Sequence, residues 1–189
     1  MIECRMQNAE CRMFVVSALV ILLGGCGGGG EGGGKDPALS PFTALPVEER
    51  RAAPTFDLDR LGGGRLRLED YRGRIVLLNI WASWCGPCRE EMPELDAVAR
   101  DLADSTFAFL TVTDDVERDR AAAFAAELGF AHPVGFGDGR LRARYAGFGL
   151  PLTLLLDAEG RAMYRWHGYG GAAQMQAIRR MVEAEQRRE

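Results

Sequence analysis

The sequence predicts an α/β domain with a mixed central sheet covered by helices on both faces. Three observations predict it. The runs IVLLNI (75–80), FAFLTV (107–112) and LTLLLD (152–157) are apolar without alternation, as strands buried on both faces are. Stretches with helical spacing separate these runs. The last run is followed by RAMYRWH (161–167) across the turn AEG, which closes the sheet with a hairpin. A chain of 189 residues, 47% apolar and 26% charged, is long enough and balanced enough for one domain with a real core.

Each element has its own signal. The Gly triplet before RLRLEDYRG (65–73) reads as a short hairpin and a turn. IVLLNI is the central strand. A helix is expected from Cys85 to about Ala103, because Leu95, Val98, Ala99 and Leu102 repeat on one face. Pro93 lies inside it and should kink it. FAFLTV is the second buried strand. Residues 117–128 form an Ala-rich helix with Phe124 and Leu128 one turn apart, and Met175, Ile178 and Val182 mark a closing helix. No internal repeat is visible. The net charge of −4 provides no basic footprint, so nucleic acid is not an expected partner.

The front end is of another kind. MFVVSALVILL (13–23) comes directly after Arg12 and is too short to cross a bilayer core of roughly 30 Å as a helix. It has the length of a signal-peptide apolar region. It ends in LGGC (23–26), which resembles the lipobox of bacterial lipoproteins. That resemblance implies a signal peptide over 1–25, removed together with Cys4 and Cys11, and a lipid on Cys26. A signal cut near Gly25 without lipid, or an uncleaved anchor, are the alternatives. GGGGEGGG (27–34) cannot pack, and Pro37, Pro41 and Pro46 stiffen the stretch beyond it. Residues 26–52 are therefore expected to be a tether with an r.m.s. reach of roughly 30 Å, and residues 53–189 the domain.

The chemistry is concentrated in LNIWASWCGPCREEMPEL (78–95), where Cys85 and Cys88 stand two residues apart. Such a pair is half of a zinc site, a structural disulfide or a redox dithiol. Structural zinc needs four ligands, whereas the chain has no second Cys pair and only His132 and His167, far apart in sequence. A two-residue loop constrains the unfolded chain little, which argues against a static staple. The redox reading has a mechanism. Cys85 would sit at a helix N-terminus, where free N–H groups and the helix dipole favour thiolate. Cys88, one turn on, would resolve the mixed disulfide. Gly86 and Pro87 let the turn close, and Pro early in a helix loses no hydrogen bond.

WCGPC resembles the thioredoxin active site, with Trp81 and Trp84 at that family's positions, and Pro93 matches its helix proline. YAGFGLP (145–151) matches the segment ending in the family's cis-proline, so the Leu150–Pro151 bond is expected to be cis. APTFDLDRL (53–61) and a helix-plus-strand insert between buried strands look like the TlpA/ResA branch of membrane-tethered thiol-disulfide oxidoreductases. The resemblance runs from 53 to about 185 and implies a thioredoxin-like fold. It gives Cys85 the role of attacking thiol and Cys88 that of resolving thiol. Trp84, Gly86, Pro87, Leu150 and Pro151 become the substrate-binding surface. Glu91 matches a Glu that this branch uses near its cysteines; an exposed helix Glu is the alternative. Three departures stand out. Asn79 replaces thioredoxin's buried acid, and thioredoxin's partner lysine is missing, since Lys35 is the single lysine. Leu152 stands where the family usually has Thr.

What the resemblance implies is a lipid-anchored enzyme of the cell envelope that reduces disulfides in proteins, of the cytochrome c or copper-site maturation type. It would need no cofactor and would draw electrons from a membrane donor of the DsbD/CcdA kind. A disulfide-donating oxidase and a copper-binding module using both thiols are the alternatives. A peroxidase is disfavoured, because the peroxiredoxin group has Thr where Ala82 stands. His132 reads as a loop residue and His167 as a sheet-end histidine.

Overall fold

In the computed structural model, residues 44–137, 139–145 and 149–188 are described. The expected signal peptide, Cys26 and the first part of the tether lie outside them. The elements run β1 (Arg51–Ala52), β2 (Asp57–Asp59), β3 (Arg65–Arg67), β4 (Ile75–Trp81), α1 (Gly86–Asp101), β5 (Phe107–Thr113), α2 (Arg118–Leu128), β6 (Val134–Phe136), α3 (Leu141–Arg144), β7 (Leu152–Leu156), β8 (Arg161–His167) and α4 (Gly171–Gln186). The main sheet has the order β1-β8-β7-β4-β5-β6. β4, β5 and β6 are parallel, whereas β7, β8 and β1 join antiparallel. This is the thioredoxin-like arrangement, and the expected helix-plus-strand insert is α2 with β6.

The unbroken apolar strands are explained by two cores. All seven residues of β4 and of β5 are buried. Side chains alternate along a strand, so β4 feeds both faces. Ile75, Leu77 and Trp81 pack with Met92, Leu95 and Val98 of α1 and Ile178 and Val182 of α4. Val76, Leu78 and Ile80 pack under the β2–β3 hairpin, against Leu66 and Leu68, and beside Leu141 and Tyr145. α1 continues through Pro93 as one helix. Gly129 ends α2 in the left-handed region at φ 66°, where a Cβ would be strained.

The domain begins earlier than residue 53. Leu45 donates its N–H to the Met163 carbonyl at 2.7 Å, and Arg51–Ala52 pairs with Arg161 and Ala162 as an edge strand. Composition marks this segment as tether, but one residue overrides composition. Arg50 is buried and bonds Asp157 at 3.2 Å and Glu185 at 2.6 Å. It joins the tether's end to the β7–β8 turn and to the last turn of α4. The Glu185 carboxyl is held below its ordinary range, first by its hydrogen bond to Arg50. This contribution is complete above the ordinary Glu pKa and is lost as pH falls through the lowered value.

Arg50→Ala should destabilise the domain by about 3 kcal/mol, because it takes a partner from the buried Asp157 and leaves the half-buried Glu185 without its main ion pair, although Arg161 still serves Asp157 at 2.9 Å. Urea unfolding near pH 7 measures this. A change under about 1 kcal/mol, the scale of an exposed pair, would make the segment a passive edge.

Candidate active site

β4 delivers the chain to the site and α1 receives it. After Trp81 the residues Ala82–Trp84 form a short loop, and Cys85 is the N-cap of α1. The Cys88 N–H, one of the unpaired donors of the first turn, points at Cys85 Sγ at 3.2 Å. The first turn contains no acidic residue that would oppose a thiolate. Cys85 and Cys88 form a disulfide, with Cα atoms 5.3 Å apart. The two sulfurs differ in access. Cys85 is 6% exposed at the end of the helix; Cys88 is 0% exposed, one turn inside. Gly86 and Pro87 are exposed between them.

The loop before the cysteines is held by the next strand. Asp115, buried just after β5, accepts from Ser83 N at 2.9 Å and Ser83 Oγ at 2.7 Å, and the Thr113 hydroxyl also donates to it. Asp114 N donates to the Trp81 carbonyl at 2.7 Å. Two large apolar side chains stand out on the joined loops: Trp84, 64% exposed, and Val116, 80% exposed. The Leu150–Pro151 bond is cis, as the sequence predicts. Pro151 is buried, and Leu150, half-buried, packs against both cores. Sequence reasoning missed Asp115 and Val116. The signal was TDD at the end of an apolar strand, where polar residues read only as loop.

Of the two readings of Glu91, the exposed helix residue is the one the structure removes. Glu91 is fully buried. Its carboxylate accepts from Asn79 Nδ2 at 2.8 Å, Thr153 Oγ1 at 2.9 Å and Gln174 Nε2 at 2.9 Å. Burial pushes its pKa up to about 7, against the lowering effect of these three donors. Glu91 and Cys88 are three residues apart on one helix and therefore neighbours on its surface. Sequence reasoning also missed Thr153 and Gln174, although each is a polar residue inside an apolar pattern.

The histidines lie elsewhere. His132 is a loop residue, half-buried as a whole, with its ring between those of Phe109 at 4.2 Å and Phe130 at 4.7 Å. Burial pushes its pKa down to about 4. His167 is exposed at the end of β8. Among the described residues no group of three or more His, Cys, Asp or Glu is placed to hold a metal ion.

A dithiol at a helix N-terminus, on this fold, over a buried carboxyl, defines the class of thioredoxin-like thiol-disulfide oxidoreductases. The comparisons agree. Residues 50–182 match the AhpC/TSA family, and the chain belongs to that family. It is 33% identical to the thioredoxin-like protein YneN of Bacillus subtilis over 60% of this chain and 68% of that one. It is 36% identical to the thiol-disulfide oxidoreductase ResA of Geobacillus kaustophilus, over 57% and 63%. The chain thus spans about two thirds of the length of these relatives. A solved structure named as the thiol:disulfide interchange protein DsbE of Chlorobium tepidum superposes with a TM-score of 0.67 at 28% identity, covering 72% of this chain and 96% of that one. The chain is a thiol-disulfide oxidoreductase of the ResA/DsbE type.

Proposed function

We propose that this chain is a lipid-anchored reductase of disulfides in cell-envelope proteins, serving cytochrome c or copper-site maturation. The observation that carries the reading is the asymmetry of the pair. Cys85 is at the helix end, with an N–H directed at its sulfur; Cys88 is sealed behind it. In the reduced protein the Cys85 thiolate attacks a substrate disulfide. A Cys85–substrate bond forms, the substrate bond breaks, and one substrate thiolate leaves. Cys88 then gives its proton to Glu91 and attacks Cys85 Sγ. The second substrate thiol departs and the Cys85–Cys88 disulfide remains. Two electrons have passed to the substrate, and a membrane donor of the DsbD/CcdA kind restores the dithiol. Trp84, Gly86, Pro87 and the Leu150–Pro151 segment offer a platform on which an extended substrate can lie as an added strand. Dithiol exchange is preferred to peroxide reduction because Ala82 has no hydroxyl to offer a peroxide.

Localisation rests on the front of the sequence: Cys26 closes a short apolar run, and the Gly-rich segment separates it from the domain. No helix among the described residues is long and apolar enough to cross a membrane. In this reading Cys26 carries the membrane affinity.

Cys88→Ser should stall at the mixed disulfide and trap the substrate covalently, whereas Cys85→Ser should trap little. Non-reducing gels of membranes from the two variants read this out, and equal trapping by both would reverse or erase the assigned roles.

Cys26→Ser should no longer incorporate labelled palmitate and should be released from membranes. Retention through a carbonate wash would mean an uncleaved apolar anchor instead.

A further inference from the structure

The donors around Glu91 are unequal, and the inequality has a direction. Oε1 accepts from both Thr153 and Gln174; Oε2 accepts from Asn79 alone. The amide of Gln174 cannot turn over freely, because Gly170 N–H donates to its Oε1 at 2.7 Å. Its Nε2 therefore faces Glu91. Thr153 is similarly committed. It accepts from Asn79 Nδ2 at 3.0 Å, which leaves its proton for Glu91. The ladder enforces this, since Asn79 and Thr153 are direct register partners on β4 and β7. Asn79 is held only through its Nδ2, which donates to Glu91 Oε2 at 2.8 Å and to Thr153 Oγ1 at 3.0 Å. Its Oδ1 is buried and finds no hydrogen-bond partner among the described residues.

We propose that Gln174 and Thr153 are positioning residues that reserve Oε1 of Glu91, so that the exchangeable proton resides on Oε2, where the Asn79 amide turns over to accept it. This rests on the reading of Glu91 as the proton partner of Cys88. With Glu91 ionised, Asn79 presents its N–H₂. With Glu91 protonated, the same amide presents Oδ1 to the new O–H. Turning over gives up the Asn79–Thr153 bond and leaves Nδ2 unpaired in place of Oδ1, so the new O–H of Glu91 is what favours it. The titratable groups that face Glu91 are Cys88 and Glu94 on its own helix, Tyr164 on β8, and Tyr169 beyond β8, whose hydroxyl donates to Glu94 at 2.6 Å. From β4, β7 and α4 the facing groups are the neutral Asn79, Thr153 and Gln174. Burial keeps the carboxyl's pKa near 7, within reach of a thiol.

The test follows the Glu91 carboxyl by isotope-edited infrared titration of the full chain, with Glu91→Gln to assign the band. Gln174→Leu and Thr153→Val each remove a donor to Oε1 whose bond is stronger to the carboxylate than to the neutral acid's carbonyl. Each should raise the midpoint by on the order of one pH unit. Thr153→Ser should restore it. Asn79→Leu removes both the donor to the ionised form and the acceptor for the protonated one, and should shift the midpoint less than either. An Asn79→Leu shift equal to or larger than that of Gln174→Leu would overturn the proposal. In the wild-type chain, the side-chain N–H₂ signals of ¹⁵N-labelled Asn79 should change with the same midpoint as Glu91. Signals that stay constant across that midpoint would overturn it too, whether or not the variants fold. Disulfide exchange by Glu91→Gln, measured separately, tests the role of Glu91 itself. Unimpaired exchange there would remove that role, and the midpoint order would still decide the network.

Discussion

One constraint organises this protein: a carboxyl group is buried under the helix that begins with the cysteines. Glu91 joins α1 to β4 through Asn79, to β7 through Thr153 and to α4 through Gln174. An isolated buried carboxylate would be expelled or protonated, so the three donors are what allow it to remain there. Burial still wins over the donors, because the pKa rests near 7. The native state therefore holds a proton that the unfolded chain has lost between the ordinary Glu pKa and about pH 7. Across that window stability falls as pH rises. Such a cost fits a site kept for proton transfer and is hard to explain as packing.

The same helix start divides the two cysteines. An N-cap position leaves Cys85 beside unpaired N–H groups, with a small opening to solvent, while Cys88 is surrounded by core and stands next to the carboxyl on the helix surface. The first environment favours thiolate; the second disfavours it. The loop leading into this start is not left to fluctuate. Ser83 is tied to Asp115 across to the end of β5, which brings Trp84 and Val116 onto adjoining loops. Sheet topology, helix capping and one buried acid thus converge at the carboxyl ends of the parallel strands.

The central sheet was legible because β4, β5 and β7 bury both faces, so no alternation hid them. The cysteine pair and its proline were legible as motif. What sequence could not show was carried by isolated side chains. Arg50 sits in a stretch whose composition reads as linker, yet its ion pairs hold residues 45–52 on the domain. β1 and α3 are too short to show a period. Glu91 could be named from its resemblance to the branch, but its burial depended on Thr153 and Gln174, which are distant in sequence and meet only through the fold. Asn79 reads in sequence as a substitution for an acid; in the structure it stands beside a buried acid that the helix supplies.

The direction of electron flow depends on how far the reduced form is stabilised. A strongly oxidising pair holds its free thiolate in many favourable contacts. Here Cys85 Sγ has one directed N–H, and the neighbour of Cys88 is a group that is half-ionised near pH 7 and does not favour a second negative charge. On the proposed reading the reduced form is not strongly stabilised and the pair acts as a reductant. The reduction potential of the Cys85–Cys88 couple, measured at pH 7 against glutathione or a thioredoxin standard, tests this most directly. A value near that of thioredoxin, roughly −270 mV, is predicted. A value near that of DsbA, roughly −120 mV, would contradict the reading and make the protein a donor of disulfides.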